Sequence, residues 1–326
     1  MLKMKVLLLA MVLAAGLVFS SGCESVDEGI EVEEPAGGEE TSEPAGLSEP
    51  DGTVVVTDQM GREIIIEEVP QRIISLSPSN TEVLFALGLE ERIVGVTDFC
   101  NYPPEALEKD SIGGFSTPSI ERIVELEPDF ILASTIHEEE VPRLEELGLA
   151  VMVIESSDLV GLYQNISLVA EVTGIAADGE ALIASMQERI QAVESVVAEI
   201  APEDRVKVYY EVYSDPLMSA GSGALITEII ALAGGINIFG DVDENYPQIS
   251  AEVVAEKQPD IIMFPDYHGT ADIVLESMAD RAGWENVPAI QEDRVYAASD
   301  DTFARPGPRI ADAVEEAARI FYPELF

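Results

Sequence analysis

The sequence is short of positive charge. Its 326 residues include 17 Lys and Arg against 63 Asp and Glu, which gives a formal net charge of −46 at pH 7. A surface this acidic repels polyanions, so nucleic acid is excluded as a partner. Such a charge indicates high solubility or a salty habitat and does not specify a fold.

Cysteine and histidine are also scarce. The only cysteines are Cys23 and Cys100, and Cys23 lies at a predicted processing site, so no intramolecular disulfide is expected in the mature chain. The two histidines, His137 and His268, each follow a predicted strand. They lack cysteine or carboxylate partners at a fixed spacing. They are therefore weak candidates for contact with a metal centre, and no dedicated metal site is predicted.

Recognisable catalytic motifs are missing. The chain contains no G-x-S-x-G elbow, phosphate-binding P-loop, G-x-G-x-x-G fingerprint or HExxH helix. The backbone amides of SAGSGA at 219–224 could cradle a polar group, but a tight turn before a helix explains its glycines equally well. We therefore expect a protein that is not an enzyme and carries no cofactor.

The one long apolar run is at the N-terminus. MLKMK is followed by VLLLAMVLAAGLVF and SSGC, the pattern of a secretory signal peptide over residues 1–22. Cys23 after Ser-Ser-Gly resembles the lipobox cysteine of lipoproteins, with Ser20 where Leu is usual. We expect a lipidated Cys23 at the outer face of the cytoplasmic membrane. Ordinary secretion with an unmodified Cys23 is the alternative.

Residues 23–52 form an acidic segment rich in proline and glycine, without an apolar period. Such a segment cannot bury enough apolar surface to offset the entropy lost on ordering. It is predicted to be a disordered tether between the lipid anchor and a folded body.

Two pairs of segments repeat within the folded body. SIERIVELEPDFILAS at 119–134 matches SAEVVAEKQPDIIMFP at 250–265, and TEVLFALG at 81–88 matches TEIIALAG at 227–234. Both pairs align without gaps and in the same order. A repeat of this length predicts two related lobes.

Strand and helix patterns alternate within each lobe, which predicts parallel sheets covered by helices. A β-hairpin is predicted at the start, in TVVVTDQMGREIIIEE. The fold class is α/β, with two doubly wound lobes at 53–161 and 205–326 and a ligand cleft between them. A linking helical segment at 162–204 carries a long amphipathic pattern that is interrupted near Gly174 and Asp178. It is expected to form a long rigid helix that permits modest closure.

Ligands of such sheets bind beyond the carboxyl ends of the strands. The loops predicted there hold one main cation, Arg305, and several aromatic residues, namely Phe99, Tyr102, Phe115, Tyr213, Tyr246, Tyr267 and Phe303. Aromatic walls with few cations suit a large, largely neutral ligand. A strongly anionic ligand would have its charge poorly paired.

Several longer runs are typical of one family. RIISLSPSNTEVLFALGLEERIVGVTDFCNYPP, GGFSTPSIERIVELEPDFIL, YYEVYSDPLMSAGSGALITEIIALAGGINIF, YPQISAEVVAEKQPDIIMF and ARPGPRI resemble the substrate-binding proteins of ABC importers for cobalamin, siderophore-bound iron and haem. CNYPP, GGFS, SDPLMSAGSG and YPQIS are most similar to the cobalamin-binding members. The resemblance implies a monomeric binding protein that delivers a corrinoid to a permease dimer. A ferric siderophore or haem is the alternative ligand.

The resemblance also implies roles for individual residues. Glu121 and Glu252 match the glutamates that engage permease arginines, although each could simply favour the dipole at a helix start. Phe99, Phe115 and Tyr246 match the cobalamin pocket, and core packing is the alternative for each of them. Ser134 stands where some cobalamin-binding members have an aromatic contact. The remaining ligand-binding candidates are those of the cleft loops, Tyr213, Tyr267, Phe303 and Arg305.

Overall fold

A computed structural model describes residues 47–48, 53–266, 271–279 and 281–326. All of them belong to one compact unit, Pro44–Phe326. The predicted signal peptide and most of the predicted tether lie outside the described residues, as do Cys23, Tyr267 and His268. Among the described helices, none combines the length and the apolar character that crossing a membrane requires.

The strands and helices are numbered in chain order. The strands are β1 Leu47–Ser48, β2 Val54–Thr57, β3 Glu63–Ile66, β4 Ile73–Ser75, β5 Ile93–Val96, β6 Phe130–Ala133, β7 Ala150–Val153, β8 Lys207–Ser214, β9 Leu217–Ser219, β10 Ile236–Asn237, β11 Ile261–Pro265 and β12 Val295–Ala298. The α-helices are α1 Pro78–Ala86, α2 Ile120–Glu125, α3 Val141–Glu146, α4 Leu159–Val172, α5 Ala176–Val197, α6 Leu225–Leu232, α7 Ala251–Lys257, α8 Ala271–Ala279, α9 Pro288–Gln291, α10 Asp300–Phe303 and α11 Ile310–Phe321. Short 3₁₀ turns cover Glu90–Arg92, Pro104–Glu108, Thr135–His137, Pro202–Asp204 and Trp284–Asn286.

The predicted N-terminal hairpin is confirmed, since β2 and β3 pair antiparallel. The carboxylate of Asp58 organises its turn, because it accepts the N–H groups of Met60 and Arg62, both at 3.0 Å. It also accepts the N–H of Val153 at 3.1 Å, which fastens the turn to β7. β1 pairs with β2, so a strand lies within the 23–52 segment that was predicted to be unstructured.

The two lobes contain parallel sheets with the same strand order. The N-terminal sheet has the order β5-β4-β6-β7, and the C-terminal sheet has the corresponding order β10-β8-β11-β12, with β9 added antiparallel to β8. Each strand therefore has a counterpart at the same place in the other lobe, which confirms the duplication. The strands β6 and β11 are buried throughout, as expected for parallel sheets covered on both faces.

Serine residues start the matching helices of the repeat. Ser119 caps α2 and Ser250 caps α7, and each side chain accepts the N–H three residues later, at 3.3 and 3.4 Å. Ser77 caps α1 in the same way, at 3.3 Å from the nitrogen of Asn80. A cap of this kind stabilises a helix by about 1 kcal/mol. The serine that opens each repeated motif thus fixes where its helix begins.

The structure of the linking segment differs from the single long helix that was expected. It contains two helices, α4 and α5, and it starts at Leu159 instead of 162. Gly174 lies between them with φ +74°, a conformation that ends a helix and favours glycine. The two helices pack against each other, and α5 also packs on α11 and α6. The stiff connection is therefore α5 alone, 22 residues or about 33 Å long.

A buried carboxylate joins the two lobes. Glu82 on α1 has a side chain that is 2% exposed, and Arg309 donates to both of its oxygens, at 2.9 and 2.5 Å. Arg305 approaches the same carboxylate at 3.5 Å and also pairs with Asp301. The guanidinium of Arg309 lies 3.9 Å from the ring centroid of Tyr102. Two cations of one lobe thus neutralise a buried anion of the other.

We predict that Glu82→Ala lowers the free energy of unfolding by about 3–5 kcal/mol, because both arginines lose a buried partner. Chemical denaturation measures the loss. The control is Asp312→Ala, which removes an ion pair with Arg189 whose side chains are 46% and 39% exposed. Its effect should stay below about 1 kcal/mol. Equal effects of the two substitutions would contradict the role given to Glu82.

Glu228 is the counterpart of Glu82 in the repeat and makes a second connection. Its carboxylate on α6 accepts the N–H of Leu159 at 3.0 Å, at the positive end of α4. Burial raises the pKa of Glu228, the charge of Asp158 adds to the rise, and the hydrogen bond from Leu159 opposes it. The folded protein therefore binds this proton more tightly than the unfolded chain does.

We predict that Glu228→Gln makes the protein more stable than wild type at pH 7 and that this advantage shrinks as the pH falls towards about 4.5. The reason is that a raised carboxyl pKa lowers stability as the pH rises through the interval between the unfolded and folded values. Glu315→Gln is the control of opposite sign. Hydrogen bonding to Arg189 lowers the pKa of Glu315, so its contribution exists above pH 4.5 and is lost on acidification. Parallel pH trends of the two variants in thermal melts would show that the two carboxyl pKa values do not shift in opposite directions.

Candidate functional site

The carboxyl ends of the two sheets meet at the contact between the lobes. Asn101, in the loop after β5, donates to the Asp301 carboxylate at 2.8 Å. Arg305 donates to the side-chain oxygen of Asn101 at 2.6 Å. These loops follow strands of different lobes, so the carboxyl edges face each other. The candidate ligand cleft lies at this edge, as expected for parallel sheets.

The N-terminal lobe brings Phe99 and Phe115 to this edge. Phe99 follows β5 and is 56% exposed, and its N–H donates to the Thr97 hydroxyl at 3.3 Å. Phe115 is half-buried, in the loop that leads to α2. Both rings therefore present a face that is not covered by the lobe core.

The C-terminal lobe contributes Tyr213 and Tyr246. Tyr213 lies near the end of β8 and is 54% exposed, and Tyr246 is 47% exposed. The loop carrying Tyr246 is held by the N–H of Gly221, which donates to the Asn245 carbonyl at 2.9 Å. A Cβ on Gly221 would lie 2.0 Å from the carbonyl oxygen of Glu244. Close backbone approach therefore explains this glycine of SAGSGA better than a tight turn alone does.

Two predicted ligand contacts require correction. Phe303 is 1% exposed and belongs to the main core, because it lies on α10 and not in an open loop. A ligand could not reach its ring without displacing the core. Arg305 is 18% exposed and already engaged by Glu82, Asp301 and Asn101, so it is a contact between the lobes. Tyr267 lies outside the described residues.

The described arginines at this edge carry no unpaired charge. Arg305 and Arg309 share the Glu82 carboxylate, and Asp301 adds a second negative charge to the cluster. The exposed aromatic faces of Phe99, Tyr213 and Tyr246 are thus not accompanied by a free cation from this cluster. Such a surface favours a large ligand with apolar faces and neutral polar groups over an anionic one.

His137 is not available to a metal. It is fully buried, and its Nδ1 lies 3.1 Å from the backbone nitrogen of Ser134, while its Nε2 lies 2.7 Å from the carbonyl oxygen of Phe115. Both ring nitrogens are used, which corrects its weak candidacy as a metal ligand. Among the residues that the structure describes, no cluster of three His, Cys, Asp or Glu side chains could hold a metal ion. His268 lies outside them.

Glu121 and Glu252 occupy equivalent positions on the two lobes. Each is an exposed residue in the first turn of its helix, α2 or α7. Hydrogen bonds from its own backbone N–H and from the Ser250 side chain lower the pKa of Glu252. The placement allows a docking role and also a favourable interaction with the helix dipole. The docking role remains a prediction.

A groove of about 590 Å³ shares only Tyr102 with the aromatic residues predicted for the cleft loops. It is bounded by the second half of α1, by α5 and by the start of α11, and its lining includes Phe85, Tyr102, Leu182, Met186, Pro308 and Arg309. Its Tyr102 ring lies against Arg309, and none of Phe99, Phe115, Tyr213, Tyr246, Phe303 and Arg305 lines it. We therefore do not assign it to the ligand.

The contact between the lobes was missed in the sequence. The sequence patterns did not predict its members Glu82, Asn101 and Arg309, although one pattern could have indicated that Glu82 is buried and paired. The dipeptide Thr-Glu opens both TEVLFALG and TEIIALAG, which places a charge within an otherwise apolar helix in each lobe. A repeated acid on a largely apolar helix indicates a buried partner.

Comparison with known proteins agrees with this architecture. A family model described as periplasmic binding protein matches residues 73–302. One curated relative is the uncharacterized ABC transporter substrate-binding lipoprotein YvrC of Bacillus subtilis, which is 27% identical over 84% of this chain and 87% of its own length.

Two solved structures are similar over most of their length. The periplasmic vitamin B12 binding protein BtuF of Vibrio cholerae is 30% identical, with a TM-score of 0.66 over 78% of this chain and 98% of that one. The apo form of the periplasmic heme-binding protein RhuT from Roseiflexus sp. RS-1 is 29% identical, with a TM-score of 0.69 over the same shares. The architecture is thus shared by proteins named for different ligands.

Proposed function

This chain belongs to the periplasmic binding protein family and is a substrate-binding component of an ABC importer, and from this premise we propose that its ligand is a corrinoid. The family consists of solute-binding transport proteins. The permease and the source of energy belong to the partner subunits of the importer. The proposal covers the ligand, the lipid anchor and the surface that docks to the permease.

The corrinoid proposal rests on one observation: exposed aromatic rings lie at the same edge as arginines whose charges are already neutralised. Phe99 and Phe115 from one lobe and Tyr246 from the other offer apolar faces. The arginines at the same edge are bound to Glu82. A corrinoid has a broad, flat ring bearing neutral amide side chains, which matches such walls. The likeness to the vitamin B12 binding protein supports the same ligand.

Haem or a ferric siderophore is the second candidate. The similarity to a heme-binding protein at 29% identity favours it. Haem carries two carboxylates, however, and the arginines that could pair with them are already occupied by Glu82 and Asp301. Binding would require breaking those pairs, which disfavours haem relative to an uncharged ligand.

A lipid anchor at Cys23 is part of the proposal. The N-terminal pattern supports it, and so does the name of the Bacillus subtilis relative, a lipoprotein. In this arrangement residues 24–52 tether the binding body at the outer face of the cytoplasmic membrane. Metabolic labelling with a radioactive fatty acid, compared between wild type and Cys23→Ala, tests the anchor directly.

Isothermal titration of the detergent-solubilised full-length chain against cyanocobalamin, haemin and a ferric hydroxamate siderophore tests the ligand. We expect the tightest binding with cyanocobalamin. Phe99→Ala, Phe115→Ala and Tyr246→Ala should each weaken it by about tenfold, because each removes a large apolar contact. Phe326→Ala removes a 41% exposed aromatic at the chain end and is the matched control. No heat with cyanocobalamin alongside binding of haemin would reverse the ranking.

Docking to the permease is proposed for Glu121 and Glu252. The repeat places the two exposed carboxylates at equivalent positions of two similar lobes. A permease dimer has two equivalent subunits, so each lobe would present one carboxylate to one subunit. Charge pairs of this kind contribute to the specificity and rate of association.

The double variant Glu121→Ala/Glu252→Ala should retain ligand affinity and lose most transport, because the carboxylates lie on the outer helix starts and not among the cleft residues. Uptake of labelled cyanocobalamin by reconstituted proteoliposomes measures the transport. Glu125→Ala/Glu256→Ala changes exposed glutamates one turn further along the same helices and should transport normally. Reduced ligand affinity with transport intact would refute the docking assignment.

A further inference from the structure

His137 is buried beneath one of the aromatic residues assigned to the ligand site. We propose that His137 is a positioning residue that fixes the backbone and ring of Phe115 so that this aromatic faces the ligand. The inference rests on the proposed function, because it assigns Phe115 to ligand binding. It adds a residue that never reaches the ligand itself.

The hydrogen bonds define how the imidazole is held. Its Nδ1 lies 3.1 Å from the backbone nitrogen of Ser134, and an amide nitrogen can only donate, so Nδ1 accepts. The carbonyl oxygen of Phe115 can only accept, so Nε2 must carry a proton. Nε2 donates this proton to the carbonyl oxygen of Phe115 at 2.7 Å. The ring thus links the end of β6 to Phe115, which lies 22 positions before His137 in the chain.

The same imidazole also contacts the side chain of Phe115. The two ring centroids are 5.5 Å apart and the planes are inclined at 84°, a favourable edge-to-face arrangement. His137 is 0% exposed, whereas Phe115 is half-buried. The Phe115 ring therefore contacts a buried, hydrogen-bonded imidazole while part of the ring remains accessible.

The loop around Phe115 needs such a support. It runs from Gly113, which has φ +95°, to Pro118, and these two residues form an isolated bridge. Within it, the N–H of Thr117 donates to the Gly114 carbonyl at 3.3 Å, a long hydrogen bond. Holding Phe115 in place before the ligand arrives reduces the entropy lost on binding, and this raises affinity.

A satisfied buried histidine could instead serve stability alone. Two substitutions separate these roles. His137→Gln can still reach the Phe115 carbonyl with its amide N–H but loses the acceptor for Ser134, whereas His137→Asn can accept from Ser134 but is too short to reach Phe115. Each loses one hydrogen bond and the edge-to-face ring contact, so the two variants should be destabilised by similar amounts and differ in which hydrogen bond they keep.

The test compares these variants in the detergent-solubilised full-length chain. Cyanocobalamin affinity should fall by about five- to tenfold in His137→Asn and stay within about twofold of wild type in His137→Gln. In the double variant His137→Asn/Phe115→Ala, affinity should be no weaker than in Phe115→Ala alone. Combination with Tyr246→Ala, on the other lobe, should give additive losses.

Hydrogen–deuterium exchange of the ligand-free protein supplies a readout independent of binding. Peptides covering residues 111–119 should exchange about tenfold faster in His137→Asn than in wild type or His137→Gln. Equal exchange in the two variants overturns the positioning role, and so do equal affinities. If wild type binds neither cyanocobalamin nor haemin, the proposed function fails, while the exchange data still decide whether His137 holds Phe115.

Discussion

The arrangement of the lobes depends on one buried carboxylate. Glu82 lies on a helix of the N-terminal lobe, and its charge is neutralised by Arg305 and Arg309 of the C-terminal lobe. Burying an unpaired carboxylate would cost several kcal/mol, so the lobes must stay close enough for the pairing to persist. The loops that meet there, with Asn101 and Asp301, thereby bring the two carboxyl edges face to face.

The pairing of Glu82 with Arg305 and Arg309 also determines which charges are available at the candidate cleft. Because Glu82 occupies the arginines of the edge, Phe99, Phe115 and Tyr246, the aromatic residues that we propose as ligand contacts, are accompanied by no free positive charge from this cluster. If these residues bind the ligand as proposed, one ion-pair cluster links structural stability to ligand preference. His137 also combines two roles. Its ring nitrogens are hydrogen-bonded inside the N-terminal lobe, and the same ring contacts Phe115 at the surface of that lobe.

The repeat explains why the connections come in pairs. Glu82 and Glu228 occupy equivalent positions in TEVLFALG and TEIIALAG, and both carboxylates reach beyond their own lobe. Glu82 meets arginines, whereas Glu228 accepts the N–H at the start of α4. A duplicated sequence has thus acquired different partners at equivalent positions. Glu121 and Glu252, in contrast, are both exposed in the first turn of equivalent helices. A partner with two equivalent subunits could contact both of them.

The sequence alone determined the duplicated α/β lobes and the N-terminal hairpin, because strand and helix periods, serine caps and repeated motifs are local properties of the chain. The family was indicated by the resemblance of its longer runs to known members. It could not reveal that Phe303 is buried or that Arg305 bonds across the lobes, whereas the helix break at Gly174 falls where the amphipathic pattern of the linking segment is interrupted. The order of the loops along the chain predicts which of them border the cleft. The exposure of their side chains, however, depends on packing between segments distant in sequence. Only the tertiary structure brought Glu82 to Arg309 and His137 to Phe115, since such pairings arise from the folding of separate elements onto each other.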